Sequence, residues 1–245
     1  MSQRGVEYIE SDLKRGLDFA GGLLAAAVSS PVAVAVAAEV MIEHGTLNPF
    51  FSQERVGRYA TSIMVHKFET LRKQDTGEEQ PADTKLPGGF KHPDASTAAT
   101  LIRRIGLDEI PQIGSVISGD MSLVGIRPVP QAYLDYYESF APESLFSEWY
   151  DCYRLNPGLT GTGQLYAKRF PQHTPETIIQ QMRLEVAASE NASLWNDIKV
   201  IMATPPVVLG NALGYRMGPA KLPQEHHPAL DAPIEVATIG SVNNS

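Results

Sequence analysis

The stretch FAGGLLAAAVSSPVAVAVAA, residues 19–38, carries no charge over twenty positions and holds Pro31 just past its middle. At 1.5 Å per residue the run reaches about the 30 Å of a bilayer's hydrocarbon core, so a membrane helix is expected here. Pro31 decides what kind. It has no N–H and its ring crowds the carbonyl of Ala27, which predicts a kink or break. Ser29 and Ser30 can turn hydroxyls toward backbone groups freed in this way. The arms on either side, residues 18–30 and 32–44, are each about 20 Å long, and neither crosses a bilayer alone. Basic residues flank both ends, Lys14 and Arg15 before and Arg55 and Arg58 after, and the positive-inside tendency places both ends on the cytoplasmic side. A re-entrant helix that dips in, bends at Pro31 and returns satisfies all three observations. On this reading Pro31→Ala would straighten the segment into a span. The alternatives are a kinked spanning helix and a cleaved secretory signal, with Lys14-Arg15 as its basic region and Ala35-Val36-Ala37 as its cleavage site. Asp18 is out of place in such a signal. Lys14 and Arg15 are expected to meet anionic lipid headgroups.

Beyond this segment, residues 45–72 read as a turn and a β-hairpin. Pro49-Phe50-Phe51 opens an apolar run, Gly57-Arg58-Tyr59-Ala60 supplies the turn, and 63–68 alternates as the second strand. Residues 74–95, rich in Asp, Gly, Pro and Glu, read as a loop over a site. Residues 97–105 read as a short helix and Asp108 as the N-cap of the next, with Pro111 in its first turn and Ile110, Ile113, Val116 and Ile117 on one face. Tyr133, Tyr137, Phe140, Phe146, Trp149 and Tyr153 recur at helical spacing, interrupted near Pro142, and read as core. Residues 156–161 read as a turn or loop, Asp120 as a turn former, and 175–208 as one or two helices ending at Pro205-Pro206. The chain after Met217 lacks a period and reads as extended or disordered. The expected fold is α+β and mainly helical: a re-entrant membrane helix broken at Pro31 (1–44), a cytosolic catalytic domain with a small hairpin (45–216), and a tail (217–245).

A formal net charge of −8 and a pI near 5.3 argue against a nucleic-acid binder, although the basic residues cluster locally, as at Lys14-Arg15, Arg55 and Arg58, Arg72-Lys73 and Arg103-Arg104. The single Cys152 rules out an internal disulfide, and neither Cys nor His falls at zinc-ligand spacing.

The chemistry is concentrated in Arg103-Arg104-Ile105-Gly106-Leu107-Asp108-Glu109-Ile110-Pro111-Gln112 and in Gly119-Asp120-Met121-Ser122-Leu123-Val124-Gly125-Ile126-Arg127-Pro128. Two adjacent carboxylates with guanidinium groups on both sides suit a pocket shared by a metal ion and an anionic phosphate, as phosphoryl transfer requires. A carboxylate can attack phosphorus and hold the group as an acyl phosphate. Arg127 and Arg103 can clamp phosphate oxygens through paired N–H donors. The bland alternatives are an N-cap role for Asp108 and a helix-dipole role for Glu109.

With these residues in view, the chain resembles the bacterial sugar transferases, the polyprenyl-phosphate sugar-1-phosphate transferases with a re-entrant membrane helix, in their minimal single-domain form. The resemblance covers about residues 13–210. Its pieces are Lys14-Arg15 and Asp18 ahead of Ser30-Pro31; Phe51-Ser52-Gln53-Glu54-Arg55-Val56-Gly57; Lys67-Phe68 leading to Leu71-Arg72; the two stretches quoted above; Pro157-Gly158-Leu159-Thr160-Gly161; and Ser193-Leu194-Trp195-Asn196-Asp197-Ile198-Lys199. Three positions depart from the pattern: Glu69 and Asn156 stand where the family usually carries Arg, and Ile126 replaces a proline.

The resemblance implies transfer of a sugar-1-phosphate from a UDP-sugar to a polyprenyl (undecaprenyl) phosphate, the first step of exopolysaccharide or other glycan assembly, with UMP released. It implies Asp108 as nucleophile through a phosphosugar-aspartyl intermediate, in an exchange that needs Mg²⁺. Glu109 is the candidate Mg²⁺ ligand, with Asp108 beside it, or else a base for the lipid phosphate, and Arg103, Arg127, Gln112, Arg72 and Lys67 are the candidates around substrate phosphates. Lys14, Arg15, Ser30 and Pro31 would form the membrane element of a monotopic protein on the cytoplasmic face of the bacterial inner membrane. Membrane lipids are the implied partners, no nucleic acid is, and a homo-oligomer is left open. The alternative function is an impaired relative acting as a scaffold for glycan-assembly enzymes.

Overall fold

A computed structural model describes residues 3–71, 96–170 and 174–212. The expected loop at 74–95, the tail after Met217 and Arg72 lie outside the described residues.

The chain opens with α1 (Gln3–Ile9) and then a 33-residue helix, α2 (Asp12–His44). Ser11 caps α2 by accepting from Lys14 N, and Gly45, left-handed at φ 63°, ends it. The expected break at Pro31 is not a break in the helix, which runs through the proline as one element. The reason is local. Pro31 deprives the Ala27 carbonyl of its usual donor, and Ser30 Oγ donates to that oxygen instead at 2.9 Å. Ser29 Oγ, expected to share the task, has no hydrogen-bond partner among the described residues.

The hairpin follows as expected: β1 (Phe50–Val56) pairs antiparallel with β2 (Ser62–Phe68), Phe50 opposite Phe68 and Val56 opposite Ser62. A 3₁₀ turn, Arg58–Ala60, joins them. Next come α3 (Thr97–Arg104), a 3₁₀ segment (Leu107–Gln112) and α4 (Ile113–Ser118). β3 (Ser122–Val124) leads past Arg127 to α5 (Gln131–Glu138) and α6 (Glu143–Asp151), which are separated at Pro142 as expected.

The loop expected at 156–161 instead contains a strand, β4 (Gly158–Thr160), pairing parallel with β3. Glycine makes this approach feasible. A side chain on Gly158 or Gly161 would run into the backbone of Gly125, so only hydrogen lets the two strands meet. Then come α7 (Thr162–Arg169), α8 (Pro175–Glu190) and α9 (Leu194–Ala212). α9 does not end at Pro205-Pro206; it continues through both to Ala212.

The core has three parts. Tyr137, Phe140, Trp149 and Tyr153 of α5, α6 and the following turn pack on Ile178, Ile179, Met182 and Val186 of α8, with Trp149 and Tyr153 edge to face at 5.3 Å. Val65, Val116, Met121 and Leu123 join β2, α4 and β3. Val36 and Val40, from the second half of α2, pack on Phe68 and Ile102.

The first half of α2 is fixed to the same body by buried charge. Lys14 Nζ lies 3.0 Å from Asp18 Oδ1 and 2.6 Å from Asp197 Oδ2 of α9. Asp18 also accepts from Leu123 N at 2.9 Å and from Ser122 Oγ. The headgroup role expected of Lys14 is therefore wrong: it is 3% exposed, because a buried carboxylate pair claims it. Arg15, expected at headgroups too, donates to the carbonyls of Val116 and Ile117 at the end of α4. Between these two attachments, Leu23, Leu24, Val28, Val32 and Val34 of α2 are exposed.

Candidate active site

The site begins at Gly106. Its left-handed φ of 73° turns the chain out of α3 and directly into the 3₁₀ segment. Gly106 itself takes the N-cap position, so Asp108 is not the N-cap expected of it, and no side-chain cap is made there. Asp108 and Glu109 instead stand together in the first turn, Glu109 near Lys67 of β2, Arg127 after β3 and Lys168 of α7, and Asp108 near Lys67 and Arg103. The capping reading of Asp108 is thereby removed.

Glu109 Oε1 meets Arg127 Nη2 at 3.0 Å and Lys67 Nζ at 3.4 Å. Burial works to raise its carboxyl, yet Arg127, Lys67 and Lys168, with the Arg127 hydrogen bond, hold it far below the ordinary range. The helix-dipole reading of Glu109 is too small for such a cage. Asp108 differs. Burial first, then the charge of Glu109, push it up to about 6, against smaller opposing pulls from Lys67 and Arg103 and a backbone hydrogen bond. One carboxylate is thus firmly ionised and paired, and its neighbour is short of positive charge. A group arriving with counter-cations would find its partner in Asp108.

Among the expected residues, Lys67, Gln112, Arg127 and Glu109 line one cleft of about 220 Å³ open to solvent. Gln112 is buried. Arg103 lies in the last turn of α3, exposed, close enough to act on Asp108. Three lining or facing residues were not anticipated. Gln164, whose amide donates to Gly158 O at 2.9 Å, and Lys168 sit one turn apart on α7. Arg55, read as a membrane-flanking charge, is buried, donates to Pro128 O at 2.9 Å and lines the cleft. The signal available for the first two was their four-residue spacing right after Pro157-Gly158-Leu159-Thr160-Gly161, which places both on one helical face. A larger hollow of about 920 Å³, open to solvent, is lined by Gly125, Gly161, Lys14, Glu185, Ala188 and Asp197 among others, and neither Asp108 nor Glu109 borders it.

Among the described residues no group of three or more metal-ligating side chains occurs. The donor set still suits magnesium, which takes one or two carboxylates and completes its shell with water and substrate phosphate oxygens. An under-neutralised Asp108 beside Glu109 is such a pair.

Comparison with known proteins identifies relatives over most of the chain. The pattern of the bacterial sugar transferases matches residues 9–211. The chain is similar to a UDP-glucose:undecaprenyl-phosphate glucose-1-phosphate transferase of Caulobacter vibrioides, 29% identical over 80% of this chain and 69% of the relative. It is also similar to the exopolysaccharide production protein ExoY of Rhizobium meliloti, 27% identical over 80% and 84%, and to the galactosyl transferase CpsE of Streptococcus agalactiae, 29% identical over 85% and 44%. The chain thus spans most of the first two relatives and under half of the third.

Proposed function

Because the chain belongs to the bacterial sugar transferase family, we propose that it moves a sugar-1-phosphate from a UDP-sugar to undecaprenyl phosphate, an early step in exopolysaccharide or related glycan assembly. The observation that carries this reading is the unequal carboxylate pair, Asp108 raised to about 6 beside a Glu109 held by Arg127 and Lys67. The relatives' names supply the donor and carrier classes.

In the first step an ionised Asp108 oxygen attacks the phosphorus bearing the sugar. The bond to the bridging oxygen breaks, UMP leaves with that electron pair, and the sugar phosphate is held as an acyl phosphate. In the second, a phosphate oxygen of the lipid attacks the same phosphorus and Asp108 leaves as carboxylate. Lys67, Arg127, Lys168 and Arg103 supply the fixed positive charge that orients the donor's phosphates and stabilises the crowded transition state. Asp108 and Glu109 would hold Mg²⁺, which when bound offsets the negative charge of the diphosphate. Gln112 and Gln164 offer neutral polar groups along the cleft.

Attachment of both halves of α2 to one body supports a monotopic placement. A straight span would carry Val36 and Val40 away from Phe68 and Ile102, or Lys14 away from Asp197. The exposed stretch from Leu23 to Val34 would lie in the lipid of the inner membrane as one side of a continuous helix, leaving the site at its cytoplasmic face. No observation favours the scaffold alternative. Asn156, one of the departures behind it, is engaged in holding the Gly119 carbonyl at 2.8 Å.

Purified protein with Mg²⁺, a UDP-sugar panel and undecaprenyl phosphate is expected to release UMP, and Asp108→Asn to lose that release by at least about 10³-fold, as for removal of a nucleophile. Donor labelled in its sugar phosphate should leave covalent label on Asp108. Equal UMP release by both proteins would remove Asp108 from the mechanism.

A further inference from the structure

Arg127 is held by its backbone as well as by its side chain. Its carbonyl accepts from Tyr153 Oη at 2.8 Å, and its main-chain N–H donates to Glu185 of α8. Glu185 is 3% exposed. Its Oε2 accepts from Trp149 Nε1, and its Oε1 accepts from Gln181 Nε2 at 3.1 Å. All three neighbours donate, so the side chain serves them as an acceptor on both oxygens. α7 passes directly over it, for a side chain on Gly163 would strike Glu185, and α7 carries Gln164 and Lys168 of the site.

Nothing in the transfer chemistry uses Glu185, and a buried carboxylate among neutral donors is costly to keep. Burial pushes its carboxyl up, and an apolar residue of similar size is often the more stable choice in such a place. What the group does hold is the backbone segment from which the Arg127 guanidinium reaches Glu109.

We propose that Glu185 is a positioning residue for the transfer site: with Tyr153 it fixes both peptide groups of Arg127 and so aims the guanidinium at Glu109 and the donor phosphates. The inference rests on the functional reading given above. Misplacing a charged clamp by an ångström or less lowers reaction rates by about 10- to 100-fold without unfolding the protein. Glu185→Gln keeps the shape, offers one acceptor oxygen in place of two, and sets an NH₂ against a donor.

The test uses the full chain in lipid nanodiscs, with kcat/KM for the UDP-sugar and the amide resonance of Arg127 in isotope-labelled arginine as separate readouts. Glu185→Gln is expected to lower kcat/KM by about 10- to 100-fold in the wild-type background and by less than about 3-fold when combined with Arg127→Lys, because coupled residues are not additive. The Arg127 amide should also move upfield and exchange faster. Equal losses in both backgrounds, or an unmoved amide, would overturn the proposal. Should Glu185→Gln fail to fold, Tyr153→Phe frees the other peptide group and is read in the same two ways. A wild-type protein without UMP release would sink the transferase reading, while the amide resonance would still decide whether Glu185 holds Arg127.

Discussion

At the scale of single residues, the role proposed for Asp108 carries a cost in stability. Its carboxyl stands near 6 against an ordinary 3.8, so the folded chain holds this proton more tightly than the unfolded one. That contribution is complete below the unfolded value and is lost as pH rises through about 6, leaving an ionised group that burdens the fold at neutral pH by up to about 3 kcal/mol. On the proposed mechanism, activity is expected to rise with pH through about 6 as Asp108 ionises. Asp108→Asn should unfold a few degrees higher than wild type at neutral pH, at about 2–4 °C per kcal/mol, while releasing no UMP. A lower unfolding temperature would mark Asp108 as a structural anchor. Glu109 runs the opposite way: its depressed carboxyl stabilises the fold above the ordinary carboxylate range, and that gain is lost in acid.

At the scale of elements, α2 changes what Pro31 means. The proline is carried by a Ser30 hydroxyl on the Ala27 carbonyl, and both halves of the helix are fastened to the same body. Ser30→Ala is expected to cost about 1 kcal/mol, read as earlier thermal unfolding. Pro31→Ala is expected to leave the N-terminus on the side of the catalytic domain, contrary to what the proline alone suggests. Labelling of a cysteine placed at Ser2 in intact vesicles checks this; appearance of the label on the opposite face would restore Pro31 as the determinant of topology. The hairpin and α5–α6 were legible in the chain because apolar residues recur there over enough positions to show a period. The β3–β4 pair was not, since three residues rich in glycine show no alternation. Pro205-Pro206 read as a stop because proline lacks an N–H, yet α9 continues, its Val207 buried against the domain. Asp108, Glu109 and Arg127 could be picked out by residue type and local order. For Lys168 the spacing to Gln164 marks only a shared helical face; that this face meets the carboxylates depends on how closely α7 approaches Gly106.

At the scale of the whole molecule, the Lys14–Asp18–Asp197 cluster joins the first turns of α2 to β3 and α9, across 183 positions between Lys14 and Asp197. Local charge pattern suggested a headgroup contact for Lys14; only the tertiary partner reveals otherwise. One ammonium faces two carboxylates here, and burial pushes Asp197 up despite Lys14. Lys14→Met strands both acids and is expected to destabilise the protein by about 3–5 kcal/mol. The double variant Lys14→Met/Asp197→Asn should recover part of that in thermal unfolding. An unchanged midpoint in the single variant would show the cluster to be of no energetic weight.

Those fastenings bear on anyone wanting this enzyme free of detergent. Clipping away α2, the ordinary shortcut, would strip Leu123 of the acceptor for its amide, leave Asp197 facing no ammonium, and bare Phe68 and Ile102 to water. The workable route keeps the helix and recolours its greasy outer stripe, exchanging Leu24, Val28, Val32 and Val34 for glutamate, lysine or glutamine, while every inward residue stays as found.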